Sequence, residues 1–207
     1  MSGAREFLSK VLPWELAGPN VYFNLHWKFP FSNPKPGRTH GWDGRAFNTL
    51  DEFVRGVEYW STHNDKDLYV CMSAQSRAES VVAKNGRPYL KAIRFQENVV
   101  GLRGFYIDID VKPESYPTTF EAVTAFNHFL TAVDMPDPTC IVQSGSGGFH
   151  AHWTLKHPIT LAEWQPLANA LQHAVAKSGL IADTQCTIDS ARILRIPGTK
   201  NLKTSAL

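Results

Sequence analysis

In Phe105-Tyr-Ile-Asp-Ile-Asp110 every second residue is apolar, and no other stretch constrains the fold as tightly. A period of two puts Phe105, Ile107 and Ile109 on one face of a strand and Tyr106, Asp108 and Asp110 on the other. The apolar face requires a second layer, and the next residues supply one. Thr118 and Glu121 form a capping box ahead of Phe120, Val123, Phe126, Phe129, Leu130 and Val133 at helical spacing. Cys140-Ile-Val-Gln143 reads as a second strand, closed by the turn Ser144-Gly-Ser-Gly-Gly148. A third strand alternates Phe149, Ala151, Trp153 and Leu155 against His150, His152 and Thr154. Thr160 and Glu163 cap a second helix, with Leu161, Trp164, Leu167, Leu171, Ala174 and Val175 on one stripe. Arg192-Ile-Leu-Arg-Ile196 then reads as a fourth strand before Pro197-Gly198.

The order β-α-β-β-α-β over about 102–197 predicts an α+β protein built on a ferredoxin- or RRM-like sheet unit. Right-handed crossovers set the first and third strands side by side and antiparallel at the centre of that sheet. Asp108, Asp110, the Gly/Ser turn, His150, Asp189 and Arg192 then meet at one edge, with helices on the opposite face. Upstream, residues 1–100 read as an α/β extension. Phe29 to Gly44 is rich in Pro, Gly and Asn and predicts a long loop. Thr49-Leu-Asp-Glu52 caps a helix carrying Phe53, Val54, Val57 and Trp60, and Tyr69–Met72 reads as a short buried strand. Residues 74–100 carry no clear period. One domain over 1–207 is expected, an N-terminal lobe (1–100) followed by the sheet module (101–207).

A formal charge of +2 over 207 residues excludes nucleic-acid coating by bulk charge, so any such binding needs a local patch. Cys71, Cys140 and Cys186 are dispersed and odd in number, which fits a reducing compartment rather than a disulfide framework. No run of apolar residues is long enough to span a bilayer, and a soluble intracellular protein without a membrane partner is expected.

Asp108 and Asp110 leave the same strand face, and two like charges so close call for a counter-cation. Hard carboxylate oxygens suit Mg²⁺ or Mn²⁺. The turn Ser144–Gly148 frees backbone N–H groups beside two hydroxyls and His150, an arrangement able to cradle phosphate. From Asp189 onward four basic residues stand against one acidic residue, and Ile193, Leu194 and Ile196 between them argue for a packed segment. Arg192 and Arg195 are thus candidates for a triphosphate or a nucleic-acid backbone. Lys28, Lys35, Arg38 and Arg45, with Trp27 and Trp42 for stacking, are candidates for contact with a single-stranded nucleic acid.

Phe105-Tyr-Ile-Asp-Ile-Asp-Val-Lys112, Ser144-Gly-Ser-Gly-Gly-Phe-His150 and Asp189-x-x-Arg192-x-x-Arg195-x-Pro-Gly-Thr-x-Asn201-x-Lys203 together resemble the archaeo-eukaryotic primase superfamily. The nearest likeness is to primase-polymerase domains of phage and plasmid replication proteins. It covers residues 102–203 and is weak before residue 60. The resemblance implies that Asp108, Asp110 and Asp189 hold metal and that His150 contacts the incoming nucleotide. It sets Ser144, Ser146 and Gly148 beside the phosphates, with Arg192, Arg195 and Lys200 as further substrate-binding residues. It also implies two-metal nucleotidyl transfer with Mg²⁺ or Mn²⁺ on a single-stranded DNA template, using NTP or dNTP. The expected setting is the cytoplasm of a bacterial host, beside a replicative helicase domain or subunit. His152 departs from the family pattern, which often has an aromatic there.

Two other readings share the element order. His150-Ala-His152 fits the two-histidine motif of HUH-type rolling-circle initiators and relaxases. Those enzymes need a tyrosine nucleophile after the histidines, whereas Tyr22, Tyr59, Tyr69, Tyr89, Tyr106 and Tyr116 all precede His150. A non-catalytic RRM-like module would present aromatics on its central strands, where this chain has Asp108, Asp110 and His150.

Overall fold

The computed structural model describes residues 2–202; Lys203, part of the third motif, lies outside the described residues. The elements run α1 (Ser2–Val11), β1 (Phe23–Lys35), β2 (Arg38–Phe47), α2 (Leu50–Ser61), β3 (Asp67–Cys71), β4 (Ser73–Gln75), β5 (Ala78–Val82), β6 (Pro88–Ala92) and β7 (Val99–Ile109). They continue with α3 (Thr119–Ala132), β8 (Cys140–Gln143), β9 (Phe149–Ile159), α4 (Leu161–Ser178), α5 (Thr184–Ile188) and β10 (Ile193–Arg195).

The strands form two antiparallel sheets, one of six strands in the order β10-β3-β1-β2-β6-β5 and one of four in the order β4-β7-β9-β8. The alternation in β7 does what its period requires. Ile107 and Ile109 pack with Phe149, Ala151 and Trp153 against Phe126, Phe129 and Leu130 of α3 and Leu171 and Val175 of α4. On the other face, Leu102 and Tyr106 join Val142 and a core shared with the six-stranded sheet, containing Leu25, Trp27, Val70 and Leu194 with Phe7 and Leu8 of α1 and Phe53 and Val57 of α2. Both sheet modules are therefore bonded through one apolar layer. Thr118 and Thr160 each close a reciprocal capping box with Glu121 and Glu163, and Thr49 caps α2 by accepting from the Glu52 N–H.

The fourth strand of the β-α-β-β-α-β unit does not return to the β7 sheet. β10 pairs instead with β3, Arg195 opposite Tyr69, and β4 fills the place beside β7. Two local bonds explain the diversion. The Asp183 N–H donates to the Asp108 carbonyl at 2.9 Å, so the chain crosses the end of β7 rather than running along it. The Met72 N–H donates to the Arg192 carbonyl at 2.9 Å, at the point where β3 ends and β4 begins in the other sheet.

Phe29–Gly44 is a β-hairpin rather than a long loop. Pro30 and Pro34 are tolerated because β3 pairs only Leu25 to Lys28, leaving the outer hairpin bonded to β2 alone. Pro36-Gly37 turns the chain, with Gly37 at φ 74°. Within the helices, Phe120, Val123 and Leu167 are exposed rather than packed. No described helix is long and apolar enough to cross a membrane.

Candidate active site

At one end of the layer between the sheets the packing turns polar. A cavity there is lined by Asp108 and Asp110 from the end of β7, Ser144 and Ser146 from the hairpin, His150 from β9, and Arg192 and Arg195 around β10. Tyr69, Ile193, Leu194 and Asn201 complete it. Segments far apart in sequence thus deliver carboxylates, hydroxyls, an imidazole and two guanidinium groups to one place.

β7 and β9 fix the first pair by register, Asp108 standing opposite His150. The His150 Nε2 lies 3.4 Å from Asp108 Oδ1. Burial, with the Arg192 charge second, pushes the His150 pKa down to about 4, so the contact at neutral pH is between a neutral imidazole and a carboxyl. Burial, then the charge of Asp110, pushes Asp108 up to about 6. Asp110 lies just past the strand end, more open, with Lys112 Nζ 3.2 Å from its carboxylate.

The hairpin is shaped by its glycines. Gly145 and Gly147 have φ of 86° and 89°, a region costly for other residues. A Cβ on Gly148 would stand 2.5 Å from the Ile109 carbonyl oxygen, so this glycine is what lets the turn lie against the end of β7. Thr119 Oγ1 donates to the Gly147 carbonyl and Asn201 Nδ2 donates to the Ser144 carbonyl, at 2.9 and 2.6 Å. Ser144 Oγ and Ser146 Oγ lie 3.3 Å apart, facing the cavity.

The two arginines are held differently. Arg195 pairs with Asp67 at 3.0 Å, both largely buried, and its guanidinium lies 4.9 Å from the Tyr69 ring centroid. Asp67 Oδ1 also accepts the Leu202 N–H at 2.8 Å. Arg192 Nη2 donates to Asp183 Oδ2 at 2.7 Å and stands 3.5 Å from Asp108 Oδ2, tying the two carboxylates together.

Gly148, Asp189 and Lys200 are not among the lining residues. Asp189 Oδ1 accepts the Ala191 N–H at 3.0 Å and its carbonyl accepts the Tyr106 hydroxyl at 2.6 Å, which shapes the turn presenting Arg192. Lys200 Nζ donates to Asn64 Oδ1. The acidic residue that shares Arg192 with Asp108 is Asp183, which its sequence context, at the start of a five-residue helix, does not distinguish from an ordinary N-cap. Asp67 was likewise hidden in the polar run His63–Asp67, and Tyr69 in an apolar strand. Of the template candidates, Trp27 is buried and stacked on Trp60, and Arg45 lies 3.3 Å over the Tyr89 ring; Lys35, Arg38 and Trp42 are exposed.

His152 does not line the cavity. It is buried with both ring nitrogens lacking partners, its ring centroid 6.3 Å from that of His150 and nearly perpendicular to it. The two histidines therefore do not form a joint ligand pair. The sheet face that an RRM module would leave open is covered by the six-stranded sheet.

Among the described residues no cluster of three or more His, Cys, Asp or Glu side chains could hold a metal unaided. Asp108 and Asp110 nonetheless fit a hard cation. Their mutual repulsion and the burial of Asp108 are what such a cation relieves, and Mg²⁺ typically takes one or two carboxylates with phosphate oxygens and water filling its shell.

No family model matches the sequence, and no curated protein does. Among solved structures, the chain is similar to the AEP domain of the cyanophage S-2L primase-polymerase (PrimPol), with a TM-score of 0.58 and 12% identity. The match covers 100% of this chain and 86% of that one. The two-sheet architecture is that of an archaeo-eukaryotic primase-like fold.

Proposed function

We propose that this chain is a template-directed nucleotidyltransferase, a DNA primase-polymerase acting on single-stranded DNA. The observation that carries this reading is the convergence of Asp108, Asp110, Ser144, Ser146, His150, Arg192 and Arg195 on one cavity. The similarity to a primase-polymerase AEP domain supports it.

In this reading Asp108 and Asp110 hold Mg²⁺ or Mn²⁺, with Asp183 or Asp189 as the further acidic group. Such cations would neutralise a triphosphate and acidify an attacking 3′-hydroxyl, the chemistry of two-metal transfer. The chain's own groups do the rest. Arg195, its side chain fixed by Asp67 and Tyr69, presents a planar fork to phosphate oxygens. Arg192 exchanges its Asp108 contact for the incoming triphosphate. Ser144 and Ser146 donate hydroxyl hydrogens to the same oxygens, and neutral His150 offers one N–H beside Asp108. Lys200, bonded to Asn64 outside the cavity, would have to release that bond to reach the outer phosphate or the strand. Holding nucleotide and 3′ end together supplies the orientation that lowers the barrier.

The reading extends to residues 1–207 as one catalytic unit, since the lobe 1–100 contributes Tyr69 to the cavity and Asp67 behind it. It also extends to NTP or dNTP as substrate, to phage or plasmid replication in a bacterial cytoplasm, and to a replicative helicase as partner.

The test is incorporation of labelled NTP or dNTP on single-stranded DNA with Mg²⁺ or Mn²⁺, with and without a primer. Asp108→Asn and Asp110→Asn should lower incorporation by about 10²–10³-fold or more while single-stranded DNA affinity holds. Loss of DNA affinity in parallel, in folded variants, would make these carboxylates structural and defeat the reading.

A further inference from the structure

A second cavity opens on the six-stranded sheet, and one row of residues joins it to the first. Arg195 stands opposite Tyr69, Tyr69 opposite His26, and His26 opposite Gly44, on β10, β3, β1 and β2 in turn. Cross-strand partners share a face, so this row runs across four strands, roughly 14 Å at ~4.8 Å per strand spacing. Arg195 and Tyr69 line the first cavity; His26 and Gly44 line the second. Trp42 spans the boundary, its ring centroid 5.2 Å from that of Tyr69.

The second cavity measures about 550 Å³, within the ~300–1,000 Å³ of ordinary small-ligand sites. Its mouth carries two exposed rings, Trp42 at 52% and Phe95 at 56% exposure. Phe95 does not sit on a free loop. Its N–H donates to Gln75 Oε1 at 3.2 Å, Arg94 Nη1 donates to the Ala191 carbonyl at 2.8 Å, and Asn24 Nδ2 donates to the Ile93 carbonyl at 2.7 Å. An aromatic ring held at the surface on a pinned backbone loses little entropy when something stacks on it. Gly44 lets the wall pack tightly: a Cβ there would meet the Leu25 carbonyl at 2.7 Å and the His26 ring at 2.9 Å, so His26 is held close against β2. Within the wall, His26 is buried and its Nε2 has no hydrogen-bond partner among the described residues, so its desolvation is not offset there. Burial, with Arg94 second, lowers its pKa to about 3, so the imidazole is neutral.

We propose that this second cavity receives one unpaired nucleobase of the single strand whose copying is proposed above. The base stacks on Trp42 and Phe95, its edge reaches His26, and Lys91 and Arg94 flank its phosphate. Flat rings accept any base by its face, so the site suits a strand of arbitrary sequence. The row through Tyr69 fixes the spacing between this base and the nucleotide bound at Arg195. The nature of the strand rests on the proposed function; the occupancy of the cavity does not.

A fluorescent single-stranded oligonucleotide tests this, with one abasic position walked along it. For the wild-type chain, one position should weaken binding by about five- to a hundredfold, the range of one base–aromatic stack. In Trp42→Ala and in Phe95→Ala, both at exposed sites, overall affinity should fall by a similar factor and the position sensitivity should vanish. An excess of free nucleoside should not displace the strand; displacement would overturn the assignment to a strand base. If both variants bind as wild type while templated incorporation persists, the cavity inference is overturned and the polymerase reading stands. If the abasic signature appears but no nucleotide is incorporated with either cation, the cavity inference stands and the polymerase reading falls.

Discussion

Asp67 shows how one buried charge determines what another can do. Its carboxylate holds Arg195 and the Leu202 N–H, so the arginine reaches the cavity already oriented. Removing one partner of a buried pair leaves the other uncompensated, at about 3–5 kcal/mol. Asp67→Ala should therefore lower folding stability by about that amount in denaturant titration, and it should weaken nucleotide binding as well. Arg195→Ala should raise the KM for nucleotide far more than it weakens binding of single-stranded DNA, as read by incorporation kinetics and anisotropy. The reverse pattern would assign Arg195 to the strand channel. The two arginines and the paired aspartates were legible from motif and alternation. Asp67, Asp183 and Tyr69 were not, because an acidic residue before a strand or at a helix start reads as a turn or a cap until a distant arginine is found against it.

Elements were legible where one period governed a whole segment. β7, α3, β9 and α4 follow their apolar spacing, with the capping threonines marking both helix starts. β4 was opaque because Ser73-Ala-Gln75 is a polar run buried between neighbours rather than an alternation. The pairing of β10 was opaque for another reason: three residues carry no information about which sheet edge they will meet. The Ser144–Gly148 hairpin supplies a prediction at this scale. Gly148→Ala places a Cβ against the Ile109 carbonyl and must push the turn off β7, carrying Ser144 and Ser146 with it. Nucleotide KM should rise about tenfold, worth roughly 1.4 kcal/mol, with little change in DNA affinity. An unchanged KM would mean that the two serines do not touch the nucleotide.

At the scale of the whole molecule, the apolar layer shared by the two sheets buries His152, and the wall of the second cavity buries His26. Burial lowers each pKa from 6.5 to about 3. The unfolded chain binds a proton on each as pH falls below about 6.5, and the folded chain does not. Their stabilising effect is thus full above pH 6.5 and is lost progressively toward pH 3, by up to ~1.4 kcal/mol per pH unit for each group. His152→Phe removes one of these groups, together with two unpartnered nitrogens, and keeps the ring beside Phe7. Denaturant melts at pH 7.5 and 5.0 should show a smaller acid loss in this variant, by about one proton per molecule. An equal loss in wild type and variant would place the acid sensitivity elsewhere.

β10 also has a consequence in time. Arg195 is joined to Asp67 across 128 positions of chain, and its strand bonds to β3, which is made long before it. On a ribosome the first lobe, the β7–β9 sheet and its helices all emerge before this closing strand. An unfinished chain can therefore bury most of its apolar surface and still lack the guanidinium groups of its cavity. Closure of such a distant pair is slow relative to helix and hairpin formation. The nascent protein would pass through a stage that is compact yet unable to grip the triphosphate proposed for its cavity, and that competence would arrive in one late step rather than by degrees.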